Sequence, residues 1–75
     1  MPNYQNFIVI NPEIRFGKPC IKGTRITVYD VLTWLSKGMS EKDIITDYPA
    51  LSVEQIRACL AYAASKERKV TILAA

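Results

Sequence analysis

Three hydroxyl residues, spaced between residues 27 and 52, constrain the fold of the chain because each is placed to begin a helix. Thr27, Ser40 and Ser52 carry a side-chain oxygen that can accept a hydrogen bond from the first helical turn. Acidic residues follow Ser40, and Asp30 and Gln55 complete capping boxes with Thr27 and Ser52. The sequence therefore predicts three helices, all of them after residue 26.

The lengths of these helices follow from their stop signals and apolar spacing. The predicted helices cover residues 28–37, 41–47 and 53–67. Gly38 and Pro49 end the first two, since glycine favours the left-handed C′ position and proline cannot continue a helix. Helical spacing predicts the buried stripe of the third helix: Val53, Ile56, Leu60 and Ala63. The second and third helices have the proportions of a helix-turn-helix.

The segment before the helices is predicted to be a strand and an ordered loop. Residues 7–10 are apolar and mostly β-branched, and the run stops at Asn11. The loop that follows contains apolar anchors, so an irregular hairpin is the alternative. A second β-forming run occupies residues 70–73. We expect one mainly α domain over residues 1–75, made of the strand and structured loop 7–26, the three-helix part 27–67 and a short apolar tail 70–75.

The residue types that are missing exclude most catalytic chemistry. Without histidine there is no Ser–His–Asp or Cys–His site, and Cys20 and Cys59 are too few for a four-thiolate metal site. Asp43 and Asp47 lie one helical turn apart, but such a pair is more typical of a solvated helix face than of a nuclease. We therefore expect no enzyme, no catalytic residues, no metal and no cofactor.

No targeting or membrane segment is visible in the sequence. The N-terminal residues lack the charged and apolar regions of a signal peptide, and no apolar run approaches about 18 residues. The two cysteines fit a reducing compartment, where they act as small apolar side chains. The sequence predicts a cytoplasmic protein without membrane contact.

The charges are arranged in blocks around a formal net charge of +3. Residues 11–25 and 57–69 are net basic, and residues 30–54 between them are net acidic. This pattern suits an anionic or mixed-charge partner, and a solvated surface explains it equally well. Charge alone is therefore a weak indication of nucleic-acid binding.

The third helix offers four candidate contacts to DNA. Gln55 and Arg57 are of the types that pair with adenine and guanine edges, and Lys66 and Arg68 would contact phosphates. Gln55 is also the capping-box residue, so its two roles compete. Small residues line the side expected to face away from the core, which suits packing against a partner helix at least as well: Ala58, Ala61, Ala64 and Ser65.

A homodimer is also expected from the sequence. Strands as short as 7–10 and 70–73 are unstable alone, so they need pairing within or between chains. The small residues of the third helix offer a second contact surface. Trp34 lies off the main apolar stripe of the first helix and is either a rim residue of the core or an anchor for a partner.

Several motifs, taken together, resemble the signature of domain-of-unknown-function family 433. The resemblance covers residues 8–65, most of the chain. Its distinctive elements are Asn11-Pro12-Glu13-Ile14, Gly17-Lys18-Pro19, Gly23-Thr24-Arg25-Ile26 and Asp47-Tyr48-Pro49-Ala50-Leu51. The combination at this separation is far more specific than a helix-turn-helix pattern.

The resemblance implies a homeodomain-like fold and an antitoxin of the VapB type. Members of the family are often encoded beside a PIN-like ribonuclease, and they have no agreed catalytic residues. Arg25 occupies one of the diagnostic positions, as either a structural or a partner-binding residue. The expected function is that of a type II antitoxin that binds a PIN-like ribonuclease toxin and, as a dimer, operator DNA. The alternatives are a non-enzymatic protein-interaction module and a stand-alone DNA-binding regulator.

Overall fold

Three α-helices follow a small two-stranded hairpin in this protein. The computed structural model describes the backbone of residues 4–74 and the side chains of residues 4–67. The elements are β1 (Ile8–Val9), β2 (Cys20–Ile21), α1 (Val28–Ser36), α2 (Glu41–Asp47) and α3 (Val53–Ala74). A single 3-10 turn lies at Tyr4–Asn6, and Arg15–Gly17 forms a turn with left-handed backbone. The prediction of a mainly α, three-helix fold with a short N-terminal strand region is confirmed.

Each helix begins at the hydroxyl residue that predicted it. The Thr27 hydroxyl accepts from the Asp30 amide at 2.9 Å, and the Thr27 amide donates to the Asp30 carboxylate at 3.1 Å. The same reciprocal pair joins Ser40 to Asp43. Gln55 completes the third box, where its side-chain oxygen accepts from the Ser52 amide at 2.8 Å. Reciprocal capping satisfies amides that the first turn leaves free, which fixes all three starting points.

The helix ends agree with the sequence for α1 and α2 and differ for α3. Gly38 has a φ of 97° and closes α1, where its amide donates to the carbonyl of Leu35. Residues 70–73, predicted as a β-forming run, are instead part of α3, so that prediction is wrong. No glycine or proline interrupts the chain after residue 53, and helix-favouring residues from Lys66 to Lys69 let the helix continue.

The strand predicted at residues 7–10 is shorter, and its partner is in the same chain. Ile8 pairs with Ile21 and Val9 with Cys20 in antiparallel register. The loop is therefore the irregular hairpin that the sequence left as an alternative. Since β1 is paired inside the chain, strand pairing no longer supplies a reason for dimerisation.

The core lies where α1, α2 and α3 meet the hairpin. Ile21, Val31, Ile44 and Ile56 have no exposed surface, and Ala58 and Cys59 of α3 are equally buried. The predicted stripe of α3 is wrong at Leu60, which is 43% exposed, and Ala58, expected on the outside, is inside. The small side chains of Ala58 and Cys59 let α3 approach its neighbours closely, which hydrophobicity alone did not indicate.

In the part of the chain that the structure describes, no helix combines the length and the apolar character that a bilayer span requires.

Candidate binding surfaces

Titratable side chains do not gather into a catalytic or metal-binding cluster in the described residues. No three histidine, cysteine, aspartate or glutamate side chains in that part of the chain lie close enough to hold a metal ion. The Asp43 carboxylate accepts a hydrogen bond from the Ser40 amide in the capping box of α2. Burial raises the pKa of the Cys59 thiol to about 12, so it stays protonated at neutral pH. The Cys20 thiol is also buried and donates to the Lys18 carbonyl at 3.3 Å.

The four residues predicted to contact DNA do not share one face of α3. At about 100° per residue, Gln55 and Arg57 lie roughly 200° apart around the helix axis. Arg57 is on the side away from the core, whereas Lys66 is on the same side as Gln55 and the core. Arg68 lies outside the residues whose side chains the structure describes. Of the two predicted base-reading residues, Arg57 faces outward and Gln55 does not.

Both predicted base-reading residues have partners within the chain. Gln55 is held in the capping box with Ser52. The Arg57 guanidinium pairs with Glu41 of α2 at 3.2 Å, although the side chain of Arg57 remains 62% exposed. An exposed ion pair of this kind contributes about 0.2–1 kcal/mol to stability. Arg57 can therefore leave Glu41 at little cost and contact a ligand.

The outer face of α3 consists of Glu54, Arg57, Ala61 and Ala64. It keeps two of the four small residues that the sequence predicted to face away from the core, since Ala58 is buried and Ser65 is half-buried. Helical spacing places these four residues within roughly 80° of one another. Glu54, Arg57 and Ala64 are exposed, and Ala61 is half-buried. Beyond Arg57 this face presents the methyl groups of Ala61 and Ala64, so another backbone can approach that part of it closely.

Trp34 lies at the rim of the core, against the turn between α2 and α3. Its ring stacks on Tyr48, with centroids 4.4 Å apart and planes 12° from parallel. The amide of Leu51 donates to the Tyr48 carbonyl at 2.9 Å, which closes the same turn. Of the two roles left open for Trp34, the geometry supports packing within the chain.

Arg25 is exposed, and its backbone takes part in a network that fixes the long loop. The Arg15 guanidinium donates to the Arg25 carbonyl at 2.9 Å and pairs with Asp30 at 3.2 Å. Burial of the Asp30 carboxylate favours its neutral form, but hydrogen bonds from Thr27 and the charge of Arg15 outweigh this and lower its pKa. Arg15 therefore ties the loop to the first turn of α1.

An open apolar groove lies between α1 and the later part of α3. It has a volume of about 350 Å³, and Lys66 and Glu67 stand on its rim. A smaller recess of about 210 Å³ adjoins it and shares Pro19 and Tyr29 with it. Its apolar walls come from Pro19, Val28, Tyr29, Leu32, Tyr62 and Ala63.

The long loop presents an aromatic ring that sequence reasoning did not single out. Phe16 is 96% exposed, more than any other large apolar residue described. It belongs to the turn Arg15–Gly17, three residues before Pro19 on the groove wall. The available signal was a large aromatic residue placed before a glycine in a turn-rich segment without apolar periodicity.

These features define the class of the protein, a small three-helix, homeodomain-like domain with an N-terminal hairpin. The chain belongs to the family described as "Protein of unknown function (DUF433)", whose model matches residues 8–63. The resemblance seen in the sequence is thereby confirmed.

Two relatives support this assignment. The crystal structure of a DUF433 member protein from Anabaena variabilis superposes with a TM-score of 0.79 at 28% identity, over 89% of this chain and 66% of that one. The uncharacterized protein y4eO of Sinorhizobium fredii (strain NBRC 101917 / NGR234) is 34% identical over 59 residues. That match covers 79% of this chain and 27% of the relative, so this chain spans about a quarter of the relative's length.

Proposed function

We propose that this chain is a non-enzymatic antitoxin that acts as a homodimer and binds a PIN-like ribonuclease. The family resemblance supports the antitoxin role, and the geometry supports binding over catalysis. Such a protein has to hold its own second copy and its partner at the same time. It therefore needs two separate contact surfaces and no reactive cluster.

The observation that carries the proposal is the position of two exposed surfaces on opposite sides of α3. The groove lies on the side of Tyr62 and Lys66, and the outer face lies on the side of Arg57 and Ala64. Helical spacing separates Lys66 from Arg57 by roughly 180°. One surface can be covered without blocking the other. We assign the outer face to the ribonuclease, because its methyl groups allow close helix packing.

Co-expression with a PIN-like ribonuclease encoded beside the gene tests this assignment. The two proteins should purify together, and Ala64→Glu should weaken the complex at least about tenfold by placing a charge on the outer face. Ala50→Glu, the same substitution at an exposed alanine in the turn before α3, should leave binding unchanged. A neighbour that purifies alone and is harmless in cells would contradict the proposal.

The absence of enzymatic activity is tested on the purified chain. We expect no metal-dependent cleavage of RNA or DNA, because Asp43 is held in its capping box and forms no metal-binding cluster with other carboxylates of the residues that the structure describes. Nuclease activity that survives repurification and is lost in Asp43→Asn would overturn this part of the proposal.

Operator DNA is a second candidate ligand, favoured by one specific observation. Arg57 is 62% exposed and faces outward from the second helix of the α2–turn–α3 unit. If the outer face enters a major groove, Arg57→Ala should reduce sequence preference in electrophoretic shifts. Lys66→Ala, which removes an equal charge from the groove side, serves as the matched control. No shift at low salt with the wild-type chain alone would exclude this candidate, since the ribonuclease is assigned to the same face and would cover it in the complex.

A further inference from the structure

Phe16 is held in a backbone conformation that a bulky residue rarely adopts. Arg15, Phe16 and Gly17 have φ values of 49°, 60° and 81°, three left-handed residues in succession. Glycine adopts this region freely, but for Arg15 and Phe16 it costs free energy that the rest of the structure must offset. Strain of this kind, at a residue whose side chain adds nothing to the core, indicates that the position of the ring has a use.

Hydrogen bonds on both sides of the turn keep the ring in place. The Ile14 amide donates to the Asn11 carbonyl at 2.9 Å, and the Gly17 amide donates to the Ile14 carbonyl at 3.1 Å. The Arg15 side chain adds its bonds to Arg25 and Asp30, so the turn is fixed to α1. The turn that carries the ring is therefore already ordered, so binding of a partner would lose little conformational entropy in this loop.

The turn that carries Phe16 is connected to the wall of the groove. Pro19 on the groove wall is three residues from Phe16, and Tyr29 on the same wall is next to Asp30, which Arg15 contacts. Tyr29 is itself 73% exposed. The projecting aromatic residue is thus tied through Arg15 to the element that forms one wall of the apolar cavity. A two-fold interface uses the same patch on both copies, so a patch with a projecting ring and a cavity can pair the ring of each copy with the cavity of the other.

We propose that two copies of this chain form a symmetric dimer in which Phe16 of each copy occupies the groove of the other. The groove volume of about 350 Å³ accommodates one aromatic ring, and its walls are apolar. Its lining includes Lys66 and Glu67, one charge of each sign, so the groove itself adds no net charge that would repel the basic loop around Phe16. A dimer needs about 800 Å² from each copy, a modest part of a surface of 5321 Å².

This inference deepens the proposed function, because it names the contact that makes the dimer. It assigns the occupant of the groove and leaves the outer face of α3 free for the ribonuclease. The dimer contact is tested on the chain alone, so its failure is distinguishable from failure of the partner assignment.

Sedimentation equilibrium of the full chain over a range of concentrations tests the dimer. The wild type should have about twice the monomer mass of 8.5 kDa at high micromolar concentration. Phe16→Ser removes two buried rings from each dimer and should raise the dissociation constant by at least about a hundredfold. Circular dichroism should show unchanged helix content, since Phe16 is exposed in the monomer. Ala64→Glu, on the outer face, is the matched control and should remain dimeric.

A mixing experiment tests the reciprocal geometry. In Ala63→Leu, the larger side chain fills part of the groove and excludes Phe16 of the other copy. This variant should therefore also be monomeric, although it keeps its own Phe16. In a mixture of the two variants, Phe16 of the Ala63→Leu chain can enter the open groove of the Phe16→Ser chain. The mixture should therefore form a heterodimer that is weaker than the wild-type dimer, because it has one of the two contacts. A monomeric wild type, an unaffected Phe16→Ser dimer, or a mixture that stays monomeric would each overturn the proposal.

Discussion

At the scale of single residues, the Asp30 carboxylate joins the start of α1 to the long loop. It accepts from the Thr27 amide that begins α1 and pairs with Arg15 of the long loop. The sequence predicted the capping role from the spacing to Thr27. It did not predict Arg15, because a contact across fifteen residues depends on the path of the loop.

Replacement of Asp30 by asparagine should lower the free energy of unfolding by about 1 kcal/mol at neutral pH, because the charged hydrogen bonds are lost. The pKa of Asp30 is lowered below 3.8 in the folded protein, so its contribution is complete above that value. The difference between wild type and variant should shrink as the pH falls through the lower, folded pKa. Denaturant titrations at neutral and acid pH measure this.

Asp47→Asn is the control for that experiment, because Asp47 is exposed at the last residue of α2. Its effect on stability should stay within about 0.5 kcal/mol. An Asp30→Asn loss of equal size at neutral pH and at pH 2 would contradict the role assigned to the carboxylate.

The two cysteines should be unreactive in the folded protein. Cys59 is fully buried, with its thiol pKa raised to about 12, and Cys20 is 1% exposed. Thiolate is the reactive form, so a disulfide reagent at pH 8 should label either thiol only as fast as the fold opens. In denaturant, both thiols of each chain should react at once, consuming two equivalents of reagent per chain. Rapid labelling of the native protein would contradict the burial of Cys59.

At the scale of elements, helix starts were more predictable than helix faces. Capping is local, so Thr27, Ser40 and Ser52 identified all three starting points. Which side of α3 is buried depends on the elements that pack against it. Close packing places the smaller Cys59 in the core and leaves Leu60 partly exposed. The end of α3 was misjudged because β-forming residues at 70–73 also continue a helix when no breaker intervenes.

The turn between α2 and α3 should depend on the stack of Trp34 on Tyr48. Tyr48→Ala should lower stability by about 1 kcal/mol, because a stacked aromatic pair contributes about 0.5–1.5 kcal/mol. Tyr48→Phe retains the stack and should remain close to wild type. Trp34 is the single tryptophan of the chain, so its fluorescence reports the change directly. Equal losses from both variants would show that the stack contributes nothing.

At the scale of the whole molecule, the candidate site was the least predictable feature. The groove joins Pro19, Tyr29 and Tyr62, which are far apart in the sequence and meet only after α1 packs on α3. The exposure of Phe16 depends on left-handed backbone that composition does not show. The two-surface arrangement follows from this packing. It would let the proposed dimer keep one face of each α3 available.

Native mass spectrometry of the co-purified complex with the PIN-like ribonuclease tests the two-surface arrangement most directly. The wild type should give two copies of each protein, Phe16→Ser one copy of each, and Ala64→Glu a dimer of this chain without the ribonuclease. Each variant would then remove one contact and keep the other. A single substitution that abolishes both contacts without unfolding the chain, or a wild-type complex with one copy of each protein, would contradict the account.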